Sequence, residues 1–127
     1  MNIRTHQEID PALCGTAVHL AEGESRVELT PEKSMTVDEQ GLVHGGFVFG
    51  LADYAAMIAV NHPNVVLGAA DVKFLKPVQT GETVVAEATV EPADGKKRRV
   101  GVVVKRGEET VFDGVFICFV LDRHVLG

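Results

Sequence analysis

In the stretch GLVHGGFVFGLADYAAMIAVN, residues 41–61, a single carboxylic acid stands in otherwise uncharged company apart from His44 at the entrance. From Gly45 to Val60 every residue is glycine, apolar or aromatic except Asp53. An isolated carboxylate is costly to bury, and such groups are retained where they have a partner or a chemical task. Asp53 is therefore the first candidate for a base or nucleophile. Upstream, His44-Gly45-Gly46 places two residues without side chains where a helix would begin, so its first N–H groups are free and approachable. Those donors, at the positive end of a helix, hold an anionic oxygen. A carboxylate that drives attack on a carbonyl and N–H groups that receive the resulting oxyanion are the two halves of acyl transfer. The competing account is structural, with glycines that permit packing and an aspartate bonded locally.

These residues need a helix over 45–60. Being apolar on all sides, it must be enclosed, and it stops at Pro63. Gly46 and Gly50 lie one turn apart, and Ala52, Ala55, Ala56 and Ala59 continue a small surface suited to a sheet or a second copy of the helix. On the N-terminal side, Gly15 to Leu29 alternates apolar with polar around Glu22-Gly23, which predicts two strands or one bent strand. Ala17, His19, Val27 and Leu29 then face inward or outward in sets, with His19 on the strand surface. Thr30 to Gln40 reads as a polar connection. After Pro63 the pattern predicts strands over Val65 to Lys73, Glu82 to Glu91, Arg98 to Arg106 and Thr110 to Leu121. Pro77 with Gly81, Asp94-Gly95, and Gly107 supply the breaks, and VVVKRGEETVFDG reads as a hairpin. The expectation is one α+β domain over residues 1–127, an antiparallel sheet with hairpin-scale connections wrapped around one helix.

Composition narrows the partners. A net charge of −6 argues against non-specific nucleic-acid binding, and Lys96-Lys97-Arg98-Arg99 reads as a turn with solvated charges. Cys14 and Cys118 lack the close spacing of a metal or redox motif, which favours a reduced, cytoplasmic setting. The opening MNIRTHQEID has charges where a secretion signal needs an apolar run. The central helix is too short and, with Asp53, too charged for a bilayer. No membrane partner is expected. Ser25 and Ser34 stand outside any G-x-S-x-G context, so serine hydrolysis is not indicated.

The pattern HGGFVFGLAD, followed by FLKPVQTGETVVAEATV, resembles the hotdog-fold acyl-CoA thioesterases of the phenylacetate-degradation type, over about Val27 to Val120. The resemblance implies a hotdog fold and hydrolysis of an acyl-CoA to free acid and coenzyme A, without metal or cofactor. It implies Asp53 as the catalytic carboxylate, nucleophile or water-activating base, and Gly45 N–H as the oxyanion donor. His44 then orients the loop, touches the thioester or packs the helix entrance, and the bare Gly46 lets a ligand approach closely. Proteins of this type form homodimers that often stack into homotetramers. Two positions depart from the pattern: Asp38 replaces a carbonyl-positioning asparagine, and Asp71 replaces a serine or threonine that assists the water. Lys73, Lys76, Lys97, Arg98 and Arg99 are candidates for the coenzyme A phosphates, and Phe47, Phe49, Tyr54 and Met57 for an acyl pocket or for core. The alternatives are a non-catalytic acyl-CoA sensor and a hotdog dehydratase. Gly45 and Asp53 are about 12 Å apart along one helix, which favours sites shared between two chains.

Overall fold

The computed structural model describes residues 1–93 and 95–127, which leaves the Asp94 half of the expected Asp94-Gly95 break outside the described residues. In chain order it contains helix α1 (Pro11–Cys14), strands β1 (Thr16–Ala21) and β2 (Glu24–Leu29), a 3-10 turn (Lys33–Met35) and helix α2 (Gly45–Val60). Strands β3 (Val65–Phe74), β4 (Val84–Val90), β5 (Lys97–Arg106) and β6 (Glu109–Val120) follow. The strands form one antiparallel sheet in the order β1-β2-β4-β5-β6-β3 around α2, the hotdog architecture.

Alternation decides which side of the sheet meets the helix. On β2, Ser25, Val27 and Leu29 are buried while Glu24, Arg26 and Glu28 are exposed. Val84, Ala86, Ala88, Val100, Val102, Val104, Phe112, Phe116 and Cys118 complete the inner face against Leu51, Ala52, Ala55, Ala56 and Ile58 of α2. Removing such side chains from water supplies most of the drive to wrap the sheet. Ser25 is tolerated there because its hydroxyl donates to the Ala55 carbonyl at 2.7 Å. His19 lies on β1, and its Nε2 pairs with Glu24 across the hairpin at 2.8 Å.

Both ends of α2 are capped. His44 accepts the Gly46 N–H on Nδ1 at 2.8 Å, and Asn61, left-handed at φ 54°, donates its N–H to the Met57 carbonyl. The Asn61 side chain also clasps the N-terminal segment, accepting Arg4 N–H at 2.7 Å and donating to the Asn2 carbonyl at 2.8 Å. That segment returns through α1 to Gly15, whose φ of 98° suits glycine; a Cβ there would lie 2.8 Å from Leu51 Cδ1.

Four sequence expectations are corrected. Helix α2 is not fully enclosed: Gly46 is exposed, and Gly45, Phe47, Phe49, Gly50, Asp53 and Val60 are half-buried, because the sheet covers only part of the helix circumference. The β3–β4 connection is a crossover, since β3 forms the sheet edge beyond β6 while β4 pairs with β2 and β5. Strand β5 starts at Lys97, one residue before the expected Arg98, so Lys97, Arg98 and Arg99, part of the run also read as a solvated turn, pair with Phe119, Cys118 and Ile117. Strand β4 starts at Val84, two residues later than expected, because the Glu82 carboxylate serves the preceding turn by accepting Gln79 N–H at 2.7 Å.

Candidate active site

Asp53 lies on the α2 strip that the sheet leaves uncovered, and its side chain turns inward. Asp53 Oδ1 is buried and, among the described residues, is the one such side-chain oxygen or nitrogen without a hydrogen-bond partner. Burial alone raises its carboxyl from the ordinary 3.8 to about 6. Two thiols feel its charge: Cys14, at the end of α1, and Cys118, inward on β6 and pushed up to about 12 mainly by burial. Neither sulfur bonds to it, so the acid sits among soft neighbours that leave an oxygen unsatisfied. The spacing of Cys14 and Cys118 gave no hint of this, since α1 and β6 meet Asp53 only through the fold.

At the start of α2 the donors divide. Gly46 N–H is occupied by the His44 cap, whereas Gly45 N–H has no acceptor among the described residues. Cap acceptance requires His44 Nδ1 to be unprotonated. A side chain at 46 would strike the His44 ring, with a Cβ 2.8 Å from Nδ1, and one at 45 would press on Phe74, 3.1 Å from Cε1. Phe74 sits edge-on to Phe112 at the end of β3, yet 57% of it remains exposed beside Gly45. Its role as neighbour of the free donor was not visible in the sequence, because 29 positions separate the two residues.

Among the other expected residues, Tyr54 and Met57 are core, at 6% and 1% exposure, while Phe49 stacks on Phe116. Asp38 is exposed; its Oδ1 accepts the N–H groups of Gln40 at 3.0 Å and Leu42 at 3.2 Å, which closes the turn leading to His44. Asp71 and Lys73 alternate with Val72 and Phe74 on β3 and point to the face away from α2, where they line an open depression of about 580 Å³ with Glu87 and Asp113. Within one chain, Asp71 is therefore not brought to Asp53 and has no part in raising it. Lys76 is exposed on the crossover. Arg99 is tied to Glu91 at 2.9 Å, Lys97 and Arg98 lie at the start of β5, and Arg98 donates to the Gly95 carbonyl.

The half-buried acid and the bare helix start both lie within a segment that matches a known family. Residues 40–112, more than half the chain, match the thioesterase superfamily. The chain belongs to the thioesterase superfamily. Among solved structures it resembles an uncharacterised protein, PH1136, from Pyrococcus horikoshii, at 52% identity and a TM-score of 0.98 over 100% of this chain and 98% of that one. It also resembles a mutant of the phenylacetic acid degradation protein PaaI from Thermus thermophilus, at 28% identity and a TM-score of 0.79 over 88% of this chain and 100% of that one. Two curated relatives are longer. A methylthioribose-1-phosphate isomerase from Aquifex aeolicus is 51% identical over 100% of this chain, which spans 28% of that protein. The transcription factor FapR from Caldanaerobacter subterraneus is 31% identical over 76% of this chain, the match covering 48% of that protein. In this thioesterase-superfamily chain one buried acid oxygen lacks a partner and one N–H at the start of α2 has no acceptor among the described residues. Among the described residues no three metal-ligating side chains cluster, and no helix is long and apolar enough to cross a membrane.

Proposed function

We propose that this protein is an acyl-CoA thioesterase acting as a single hotdog domain in the cytoplasm. The observation that carries the reading is the unpartnered, buried oxygen of Asp53 in a thioesterase-superfamily chain. A carboxylate whose pKa is raised to about 6 is a competent base near neutral pH, and desolvation sharpens it as a nucleophile. Asp53 attacks the thioester carbonyl or takes a proton from the attacking water. The oxyanion is received by Gly45 N–H, a type of donor worth ~10²–10³ in rate. His44 holds the helix start open, Gly46 keeps it free of side chains, and Asp38 shapes the approach. Lys73 and Lys76, on the face and loop flanking Phe74, attract the coenzyme A phosphates.

The active unit is a homodimer. Gly45 and Asp53 are about 12 Å apart along α2, so one carbonyl meets both only if they come from different chains. Two features support this: a Cβ at Gly50 would meet nothing within 4 Å, and β3 is a sheet edge with Gly68, Ala69, Ala70 and Asp71 exposed. Edge pairing and an antiparallel meeting of the two uncovered helix strips would close both gaps, with two equivalent sites about the two-fold axis; further stacking would give a tetramer. The match to 48% of a transcription factor favours one other reading, an acyl-CoA sensor that binds without turnover. A panel of short, medium, aromatic and long acyl-CoAs, followed through the released thiol, separates the two. Turnover of any member above the uncatalysed rate supports the enzyme, and saturable binding without turnover supports the sensor.

A further inference from the structure

The helix start that carries Gly45 does not stand by itself. Residues 36–44 form a tight loop closed by Val37 N–H on the Leu42 carbonyl at 2.8 Å and by the Asp38 carboxylate. Its outer side rests on the β3–β4 crossover, residues 75–83. Val43 N–H donates to the Val78 carbonyl and Thr80 N–H to the Gly41 carbonyl, both at 2.9 Å, and Leu42 bridges Gln79. Gly41 sits at φ 85° with Thr80 Cγ2 3.1 Å from where its Cβ would be, so the two loops have little room to slide. The position of Gly45 N–H is thus set from two sides, by the crossover and by Met35, whose carbonyl accepts His44 N–H at 2.9 Å.

The crossover is held on one side by the Pro31 carbonyl, which accepts Gly81 N–H at 3.0 Å and the Thr80 hydroxyl at 3.1 Å, and on the other by a single guanidinium. Arg106, at the end of β5, donates from Nη1 to the Pro77 carbonyl at 2.7 Å and to Glu82 Oε1 at 3.0 Å. The same Glu82 oxygen accepts Gln79 N–H at 2.7 Å, and Arg106 Nη2 bonds Glu109 across the β5–β6 hairpin. A planar guanidinium fixes these partners in one geometry, which a lysine cannot do. The Arg106 side chain is 25% exposed and that of Glu82 33%, so the node is partly sheltered from water.

We infer that Arg106, with Glu82, is a positioning residue for the oxyanion donor of the thioesterase reaction proposed above, acting through Pro77–Thr80 and Gly41–His44 on Gly45. The inference rests on that reading for its kinetic consequence, not for its structural one. Arg106→Met removes the tether at Pro77 and Glu82 while the Thr80 bond to Pro31 and the backbone bonds remain, which loosens the crossover and lets Gly45 N–H drift. A misplacement of about 1 Å far from the chemistry can lower a rate by ~10²-fold, and a partial loosening lowers it by about tenfold. The reading that reports the donor is kcat, since Lys76, proposed above for the coenzyme A phosphates, lies on the same crossover and KM can move with it.

The test measures kcat and KM on the best acyl-CoA and amide hydrogen exchange at residues 41–46, for Arg106→Met, Arg106→Lys, Glu82→Gln and the control Lys105→Met. Lys105 precedes Arg106 on β5 and pairs with Glu87 at 3.4 Å without touching either loop. Arg106→Met should exchange faster at 41–46 and lose about tenfold in kcat, with the Lys and Gln variants intermediate and the control native in both. Native exchange at 41–46, or native kcat, in folded Arg106→Met overturns the inference. Should that variant not fold, the same two readings on Arg106→Lys and Glu82→Gln decide it. If the native protein turns over no thioester, the proposed function fails, and exchange alone then decides whether Arg106 positions the helix start.

Discussion

Asp53→Asn should make the protein more stable at neutral pH, with a pH dependence that identifies the cause. The folded carboxyl is raised from 3.8 to about 6, so the fold favours its protonated form. Its contribution is fully present below about pH 4 and is lost as pH rises through about 6. Each pKa unit is 1.36 kcal/mol, so the buried charge costs the native state up to about 3 kcal/mol at pH 7.5. The amide cannot ionise and escapes this cost, although its own unpaired donor in the same surroundings takes back part of the gain. For a chain of this size about 3 kcal/mol corresponds to a rise in Tm of about 10 °C. Thermal unfolding of both proteins from pH 4 to 8 is the assay. The Tm difference should be small or reversed at pH 4 and grow through pH 6. A difference independent of pH, or a variant less stable than native at pH 7.5, refutes the claim that Asp53 is held charged against the preference of the fold.

Three further outcomes follow from the same geometry. The native kcat/KM should fall on an acid limb near pH 6 as Asp53 takes up its proton; a limb near 4 would mean that another group, or a relieved Asp53, sets the rate. Asp38→Asn should preserve the turn, because an amide oxygen accepts the same two N–H groups, and if Asp38 occupies the carbonyl-positioning place it should raise kcat or shift the acid limb downward; an unchanged rate and pH profile would retire Asp38 from the site. Gly45→Pro removes the donor at a first-turn position where proline is tolerated, after a His44 already extended at ψ 130°, so co-refolding it with Asp53→Asn chains tests shared sites. Random pairing makes half the dimers mixed, each with one intact site, and activity should return to about a quarter of native; inactivity of verified mixed dimers would place each site within one chain.

How much was legible in the chain depended on the range of the physics involved. Helix α2 was readable to its limits because its signals are local, an uninterrupted apolar run with His44-Gly45-Gly46 at one end and Asn61 to Pro63 at the other. The same all-round apolarity hid the open strip, since only the curvature of the sheet decides which side stays uncovered. Strands β3 to β6 were readable from alternation, yet their order was not: the nine residues 75–83 suit a hairpin as well as a crossover, and pairing energy between distant strands makes the choice. The Lys96–Arg99 run carried two readings, a solvated turn and a strand start at Arg98, and the strand holds from Lys97 because strand ends carry charge freely on the exposed side. At the site, Asp53 stood out by chemical contrast, whereas Cys14, Cys118, Phe74 and Arg106 carry no mark of their own and reach the site only through folding. Asp71 was brought to attention by the family resemblance, and one step of strand alternation puts it on the face away from α2.

The most direct measurement is kcat of Asp53→Asn on the best acyl-CoA, at saturating substrate and pH 7.5, in a sample shown to be folded by circular dichroism. The amide is nearly isosteric but can neither accept a proton nor attack as an oxyanion, and loss of such a group lowers turnover by ~10²–10⁴-fold. The account predicts a loss of at least about a hundredfold with KM changed little. A folded variant that keeps near-native kcat would contradict it and leave Asp53 as a structural acid.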